Sequence, residues 1–200
     1  MTPAGFRLIP GRLNLTQQRA LADEVLALAA AAPPYRPVTP GGKAMSVAMT
    51  NLGRLGWVTD ARGYRYQPHH PLTGEPWPAI PAALTALWTE LCDAGAQPDC
   101  CLVNLYDADA RMGLHRDNDE ADFSFPVLSV SLGDAALFRL GGLKRGDPTG
   151  QMRLASGDVC VLGGAARRAY HGIDRIIPGS SRLLPGGGRI NLTLRRAAPA

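Results

Sequence analysis

The chain has 200 residues, 46% of them hydrophobic, which is enough for one globular domain with a buried core. Its 21 Lys and Arg against 17 Asp and Glu give a formal net charge of +4, which permits an anionic partner but does not by itself indicate nucleic-acid binding. No apolar run reaches the roughly 18 residues of a membrane span, and the N-terminus lacks the basic and apolar regions of a secretory signal. We therefore expect a cytoplasmic protein that has no membrane partner. Nothing in the sequence demands a partner subunit, so a monomer is the default expectation.

The cysteine pattern excludes the common structural uses of sulfur. Cys92, Cys100, Cys101 and Cys160 include no C-x-x-C pair, and two of them are adjacent. Such spacing favours neither a zinc site nor a disulfide framework. The sequence predicts four reduced thiols.

The first half of the chain predicts two helices. Apolar residues at helical spacing predict one over Gln17–Ala31, with Thr16 as its N-cap and a stop at Pro33. A second helix is predicted from Ala82 to about Ala94, directly after Pro81. Between them, residues 37–78 are rich in Gly and Pro but too aromatic for a linker, so we expect short strands and loops that form a lid or binding platform.

The second half predicts a β-rich core. Short β-favouring runs alternate with Gly and Asp turns, without intervening helices, a pattern typical of a sandwich or barrel, here a jelly roll. The fold class is therefore mainly β with flanking helices (α+β). The expected strands are Cys101–Tyr106, Val127–Leu132, Ala136–Leu140, Asp158–Leu162 and Arg189–Arg195.

Two histidines and one aspartate are the candidate metal ligands. His115 and Asp117 lie two residues apart, which in a strand puts both side chains on one face, and His171 lies far downstream. Two imidazoles and one carboxylate on one face of a metal leave the other face open, as in the facial triad of non-haem Fe(II) oxygenases. The alternative for an isolated His-x-Asp pair is an ordinary surface hydrogen-bonding arrangement.

The segment Arg189–Arg195 alternates strictly between polar and apolar residues. If its polar face is exposed to solvent, it is an ordinary edge strand. If that face lines the barrel, Arg189 and Arg195 need anions, because an unpaired buried guanidinium is too unfavourable to keep. Their Cα atoms would be roughly 20 Å apart at about 3.3 Å per residue, so the two arginines would serve different ends of a site. A dicarboxylic keto acid that chelates iron would satisfy one of them.

From about Pro37 to Arg195 the sequence resembles the AlkB family of Fe(II)- and 2-oxoglutarate-dependent dioxygenases. The matching motifs are His115-Arg116-Asp117 with His171, the two arginines of Arg-Ile-Asn-Leu-Thr-Leu-Arg, Asn104-Leu105-Tyr106, Ser129–Gly133, Phe138–Arg145 and Tyr170-His171-Gly172. Ahead of the core, Met45–Trp57 and Gly63–Tyr66 resemble the nucleotide-recognition lid of bacterial members. Leu162 departs from the tryptophan that bacterial members often carry, and Lys43 replaces an aromatic residue with a charge suited to a phosphate.

The resemblance implies a double-stranded β-helix, with residues 1–96 forming N-terminal helices and the nucleotide-recognition lid packed on the core, and residues 97–200 forming the dioxygenase core of the same structural unit. It implies that His115, Asp117 and His171 hold Fe(II). 2-Oxoglutarate would chelate this iron, with O2 as the other reactant. The implied cosubstrate residues are Arg189 at the far carboxylate, Asn104, Tyr106 and Asn191 through hydrogen bonds, and Arg195.

The resemblance also implies a substrate and a reaction. Trp57 would stack on a damaged base against the His115 ring, with the other substrate residues at Asp119, Arg145, Thr39, Met49, Tyr64 and Tyr66. The reaction would be oxidative demethylation of bases such as 1-methyladenine and 3-methylcytosine, releasing formaldehyde, succinate and CO2. Alkylated single-stranded DNA is the expected partner, with double-stranded DNA or RNA as further substrates. The alternatives are a 2-oxoglutarate oxygenase that modifies RNA bases or protein, and a non-catalytic module that binds damaged nucleic acid.

Overall fold

The computed structural model describes residues 2–199. Two α-helices, one 3-10 helix and twelve strands are assigned within them. The helices are α1 (Leu15–Ala31) and α2 (Ala82–Leu91), and the 3-10 helix is Gly164–Arg168. The strands are β1 (Phe6–Ile9), β2 (Ala48–Gly53), β3 (Gly56–Asp60), β4 (Gly63–Gln67), β5 (Cys100–Tyr106), β6 (Met112–His115), β7 (Val127–Gly133), β8 (Ala135–Leu140), β9 (Gly150–Leu154), β10 (Val159–Leu162), β11 (His171–Ile177) and β12 (Arg189–Arg195).

Two antiparallel sheets form the core. The six-stranded sheet has the order β1-β10-β7-β12-β5-β2, and the four-stranded sheet has the order β6-β11-β8-β9. Buried side chains from both sheets form one apolar cluster, which includes Val127 and Cys160 from the first sheet and Phe138 and Ile173 from the second. The expected double-stranded β-helix, with flanking helices, is confirmed.

The helices cover the outer face of the six-stranded sheet. Leu21 and Val25 of α1 and Trp88 of α2 pack against Ile190 and Leu192 of β12 in a second apolar cluster. The apolar side of β12 therefore faces the helices, so its polar side faces the space between the sheets, as strand geometry requires. The alternative that β12 is a solvated edge strand is wrong, because β12 lies between β7 and β5.

Several element boundaries differ from expectation. The N-cap of α1 is Asn14 rather than Thr16, because the Asn14 side chain accepts a hydrogen bond from the Gln17 amide while the Gln17 side chain accepts one from the Asn14 amide. Helix α2 ends at Leu91 instead of continuing to Ala94. The structure also contains strands that the sequence did not predict, including β1 at one edge of the larger sheet. Strand β2 lies in the segment expected to form short strands of a lid, but it pairs with β5 and forms the other edge of this sheet.

The predicted platform between the helices contains a β-hairpin. Strands β3 and β4 pair with each other and form a separate two-stranded sheet, in which Trp57 lies opposite Tyr66. No helix within residues 2–199 is both long enough and apolar enough to cross a membrane.

Candidate metal centre and adjoining pockets

The three predicted ligands come together at the ends of two paired strands. His115 is the last residue of β6 and His171 is the first of β11; they are register partners, with ring centres 4.5 Å apart. Asp117 lies two residues beyond the end of β6, so it is carried by a loop rather than by the expected strand. One ligand atom from each side chain lies within 4.8 Å of the others, and within the described residues this is the one such cluster of His, Cys, Asp or Glu.

Hydrogen bonds to the backbone orient both imidazoles. The Nδ1 atom of His115 lies 2.9 Å from the Gly113 carbonyl oxygen, and the Nδ1 atom of His171 lies 3.0 Å from the Ala169 carbonyl oxygen. A carbonyl can only accept, so each Nδ1 carries a proton and each Nε2 is the ring nitrogen left to coordinate a metal ion. Burial, then the nearby His115 ring, lowers the pKa of His171 to about 4, which keeps its imidazole neutral at pH 7.

Arg195 holds the Asp117 carboxylate. Its Nη2 atom donates to Asp117 Oδ1 at 2.8 Å and its Nε atom donates to Oδ2 at 3.2 Å. Burial alone would raise the pKa of Asp117, but the Arg195 guanidinium and then the two neighbouring histidines lower it below its ordinary value. Asp117 is therefore a carboxylate, the form that binds a metal ion.

A buried network of charged side chains extends from the Arg195–Asp117 pair. Two of its members, Glu120 and Arg167, were not predicted from the sequence. Arg195 Nε lies 3.3 Å from Glu120 Oε1, Arg167 Nη2 lies 3.0 Å from Glu120 Oε2, and the Tyr66 hydroxyl donates to Glu120 Oε1 at 2.7 Å. Arg167 also donates to the Asp117 backbone carbonyl at 3.2 Å. Two arginines balance two carboxylates, as buried charges require, and the network connects the hairpin to the candidate metal ligand.

A narrow pocket between the sheets leads away from the triad. It is lined by all five predicted cosubstrate residues, namely Asn104, Tyr106, Arg189, Asn191 and Arg195. Ser129 lines the same pocket and accepts a hydrogen bond from the Asn191 side chain at 2.8 Å. Leu162, at the position where a tryptophan was noted in bacterial relatives, forms part of the wall.

Arg189 is a buried cation without a carboxylate partner among the described residues. It is 1% exposed; its Nη2 atom donates to the Ser131 hydroxyl at 2.7 Å, its Nη1 atom lies 3.3 Å from the Asp134 carbonyl oxygen, and its Nε atom has no partner. Burial lowers the pKa of Arg189, whereas burial raises the pKa of the neighbouring Tyr106 to about 12 and keeps its hydroxyl protonated. A cation beside a protonated hydroxyl fits a ligand that carries a carboxylate.

A second, wider pocket opens on the other side of the triad. Six of the seven predicted substrate residues line it: Met49, Trp57, Tyr64, Tyr66, Asp119 and Arg145. Thr39 instead lines a neighbouring groove with Lys43, where its hydroxyl donates to the Lys43 carbonyl at 3.1 Å. The two pockets share His115 and Arg195, so they meet at the candidate metal centre.

Trp57 is fixed on the hairpin at the mouth of the wider pocket. Its ring stacks on Tyr64 with centres 5.6 Å apart and planes 19° apart, and its indole N–H donates to Asp119 Oδ2 at 2.8 Å. The Asn51 side chain bonds both the amide and the carbonyl of Trp57 at 3.0 Å. Trp57 therefore presents an aromatic surface whose orientation is already set.

The comparisons with known proteins identify the class. The model of the 2OG-Fe(II) oxygenase superfamily matches residues 5–195, and the chain belongs to that superfamily and, within it, to the AlkB family. An AlkB homolog from Caulobacter vibrioides named as an alpha-ketoglutarate-dependent dioxygenase is 64% identical over 98% of this chain and 89% of that protein. The Escherichia coli alpha-ketoglutarate-dependent dioxygenase AlkB is 45% identical over 97% of this chain and 91% of its own.

Solved structures agree with this assignment. The structure of OsALKBH1 superposes with a TM-score of 0.86 at 29% identity and covers 98% of both chains. The chain is therefore an Fe(II)/2-oxoglutarate-dependent dioxygenase, and its cofactors are Fe(II), 2-oxoglutarate and O2.

Proposed function

We propose that the protein repairs N-alkylated bases, such as 1-methyladenine and 3-methylcytosine, by oxidative demethylation in single-stranded DNA and in RNA. The observation that carries this proposal is the meeting of two pockets at one triad. The narrow pocket contains a buried arginine that lacks an anion, and the wide pocket has an aromatic rim suited to a nucleobase. A cosubstrate and a base can thus reach the same metal ion from different sides.

His115, Asp117 and His171 are the proposed iron ligands. Both Nε2 atoms are free to coordinate because both Nδ1 protons are engaged by carbonyl oxygens, and Asp117 is ionised. The donor set of two imidazoles and one carboxylate is the one that Fe(II) oxygenases use. When bound, Fe(II), 2-oxoglutarate and O2 together supply the oxidation of a C–H bond, with release of succinate and CO2.

Arg189 is the proposed partner of the far carboxylate of 2-oxoglutarate. The protonated Tyr106 hydroxyl and the Asn104 side chain line the same cavity and would add hydrogen bonds. Asn191 already bonds Ser129 and Thr193, so it holds the pocket wall as well as facing the cosubstrate. Arg195 acts at the metal end, where it holds Asp117 in place.

Trp57 and His115 are the proposed aromatic surfaces on either side of the target base. Stacking provides affinity without requiring one particular base, which suits an enzyme that accepts several lesions. Met49, Tyr64 and Tyr66 line the pocket beside them, with Asp119 and Arg145 near the base, and Thr39 in the adjoining groove would contact the nucleotide chain. Once the methyl group is hydroxylated, it leaves as formaldehyde and the base is restored.

Single-stranded substrates should be preferred. A base inside a duplex must first be extruded, which costs a few kcal/mol of unpairing and unstacking free energy. A base in a single strand avoids most of this cost. A nucleic-acid substrate is also consistent with a more distant relative, the nucleic acid dioxygenase ALKBH1 of Mus musculus, which is 36% identical over 64% of this chain.

A cytoplasmic location is part of the proposal. The four cysteines are buried and free, which is consistent with a reducing compartment. We expect the protein to act as a monomer.

The test uses purified protein with Fe(II), ascorbate and 2-oxoglutarate and a single-stranded oligonucleotide that carries one 1-methyladenine. Mass spectrometry should show loss of the methyl group with the native protein and none with His115→Ala. Binding without turnover would indicate a non-catalytic module. Turnover on unalkylated RNA or on protein, but not on the methylated oligonucleotide, would assign a different substrate to the same oxygenase.

A further inference from the structure

Arg116 and Tyr170 line the wide pocket, and neither has a role in the site described above. Strands β6 and β11 are antiparallel, with His115 opposite His171. Arg116 and Tyr170 are the residues next to this pair, just beyond the ends of the two strands. Each of them is adjacent in sequence to a candidate ligand, and the Arg116 guanidinium contacts the Tyr170 ring.

A second arginine reaches the same ring. The guanidinium carbon of Arg116 lies 5.6 Å from the centre of the Tyr170 ring, and that of Arg145 lies 5.9 Å from it. Cation–π contacts of this kind help to position an arginine but do not neutralise its charge. Two like charges thus converge on one aromatic ring.

Neither guanidinium has a carboxylate or a hydrogen-bond partner within residues 2–199. The other two arginines near the triad differ in this respect, since Arg195 pairs with Asp117 and Arg167 pairs with Glu120. Both Arg116 and Arg145 line the wide pocket. The acidic residues of that pocket are already engaged: Asp117 and Glu120 by the buried arginines, and Asp119 by the Trp57 indole.

The loop that carries Arg145 is built to hold it beside Tyr170. The Gly141 amide donates to the Tyr170 carbonyl at 2.8 Å, and the Tyr170 amide donates to the Gly142 carbonyl at 2.9 Å. Asp147 closes the turn by accepting from the Lys144 amide at 2.9 Å. A Cβ on Gly142 would lie 2.3 Å from Asp147 Oδ2, so the turn depends on this glycine. The Asp147 carboxylate is thus occupied by a backbone amide of its own loop.

We propose that Arg116 binds a backbone phosphate next to the target nucleotide, and that Arg116 and Arg145, both in contact with the Tyr170 ring, together form a clamp for the strand. This inference rests on the proposed function, because it takes nucleic acid as the substrate. Guanidinium groups bind phosphate oxygens through paired hydrogen bonds. Both arginines line the pocket that would receive the base, so the clamp would hold the strand while the base enters. The two arginines come from different segments: Arg116 follows β6 in the loop that carries Asp117, and Arg145 lies between β8 and β9.

The first test measures binding of a single-stranded oligonucleotide carrying 1-methyladenine by fluorescence anisotropy at several salt concentrations. The variants are Arg116→Gln and Arg116→Lys, and the matched control is Arg19→Gln, an exposed arginine on α1, which covers the opposite face of the sheet. The logarithm of the binding constant falls linearly with the logarithm of the salt concentration. Removing one phosphate contact on a single strand should make this negative slope shallower by about 0.7. Arg116→Lys should retain most of the slope, and the control should match the native protein.

The second test compares turnover of the oligonucleotide with turnover of the free nucleoside 1-methyladenosine, which has no phosphate. Arg116→Gln should reduce kcat/KM for the oligonucleotide roughly ten- to a hundredfold more than for the nucleoside, the loss expected for one charge-assisted contact. Equal losses on both substrates, or a salt slope equal to that of the Arg19→Gln control, would overturn the clamp. The salt slope is independent of turnover, so it still decides for or against the clamp if the native protein fails to demethylate.

Discussion

The Arg195 guanidinium donates to both oxygens of the Asp117 carboxylate, at 2.8 and 3.2 Å. The two arginines of β12 therefore have different partners although they lie on one face of one strand. Arg195 is neutralised by the protein at the metal end, whereas Arg189 has no carboxylate partner within the described residues. This difference supports the proposal that Arg195 positions a metal ligand and that Arg189 binds the cosubstrate.

Arg195→Lys should weaken metal binding. Lysine keeps the charge but cannot form the paired hydrogen bonds that orient Asp117. Loss of a group that orients a ligand typically lowers metal affinity 10- to 100-fold, and we expect a loss in that range for Mn(II), measured by calorimetry. The control is Arg19→Lys on the opposite face of the sheet. A folded Arg195→Lys protein with native Mn(II) affinity would contradict this assignment.

Arg189→Met should impair 2-oxoglutarate binding selectively. The substitution removes the buried cation that faces the narrow pocket, and two charge-assisted hydrogen bonds to a carboxylate amount to roughly 3 kcal/mol or more. The KM for 2-oxoglutarate should therefore rise on the order of 100-fold, while Mn(II) affinity should change far less than in Arg195→Lys. Steady-state kinetics with varied 2-oxoglutarate measures the effect, and an unchanged KM would exclude Arg189 as the carboxylate partner.

Trp57→Leu should weaken binding of the methylated base. Stacking of a base on an aromatic side chain is worth about 1–3 kcal/mol, so affinity for a 1-methyladenine oligonucleotide should fall roughly 5- to 150-fold. Trp57→Phe is the matched variant, because it keeps the stacking surface but loses the hydrogen bond to Asp119. Comparing the two in the anisotropy assay separates these contributions. If Trp57→Leu binds as tightly as the native protein, the base does not stack there.

Acid should destabilise the protein after treatment with a chelator. The pKa of His171 is lowered to about 4 by burial and then by His115, whereas an unfolded histidine titrates near 6.5. Between these values the unfolded chain binds the extra proton, so stability is fully present above pH 6.5 and falls as the pH decreases towards 4, by up to about 1.4 kcal/mol per pH unit. Urea unfolding of the native protein and of His171→Gln should show this slope in the native protein alone. Parallel curves would contradict it.

Strict local patterns made part of the structure predictable. The alternation in β12 correctly predicted the strand and divided its residues into a polar and an apolar face, because side chains in a strand alternate with period two. It left open whether the polar face met solvent or lined the barrel, which the position of β12 between β7 and β5 decided. The triad was found because the two imidazoles and the carboxylate are rare enough as a set to suggest a metal. Asn14 was missed as the cap of α1 because Thr16, two residues later, is also one of the residue types that favour the N-cap position.

Features that depend on distant partners could not be derived. Glu120 and Arg167 look like ordinary charged residues in the sequence. They matter because both are buried and pair with each other although they lie 47 residues apart, and because Glu120 also pairs with Arg195 of β12. Strands β1 and β2 likewise extend the sheet only through pairing with β10 and β5. Asp117 was expected in a strand, but β6 ends at His115. The expectation failed because the local pattern of residues does not show where the hydrogen bonding of a strand stops.

The most direct test of the account measures formaldehyde and succinate together in reactions with the 1-methyladenine oligonucleotide. Because both pockets open onto the same triad, each oxidation of 2-oxoglutarate should be coupled to removal of one methyl group. The account predicts equal amounts of the two products with the native protein and neither product with His115→Ala. Succinate formed at the native rate without formaldehyde, with the oligonucleotide bound, would contradict it.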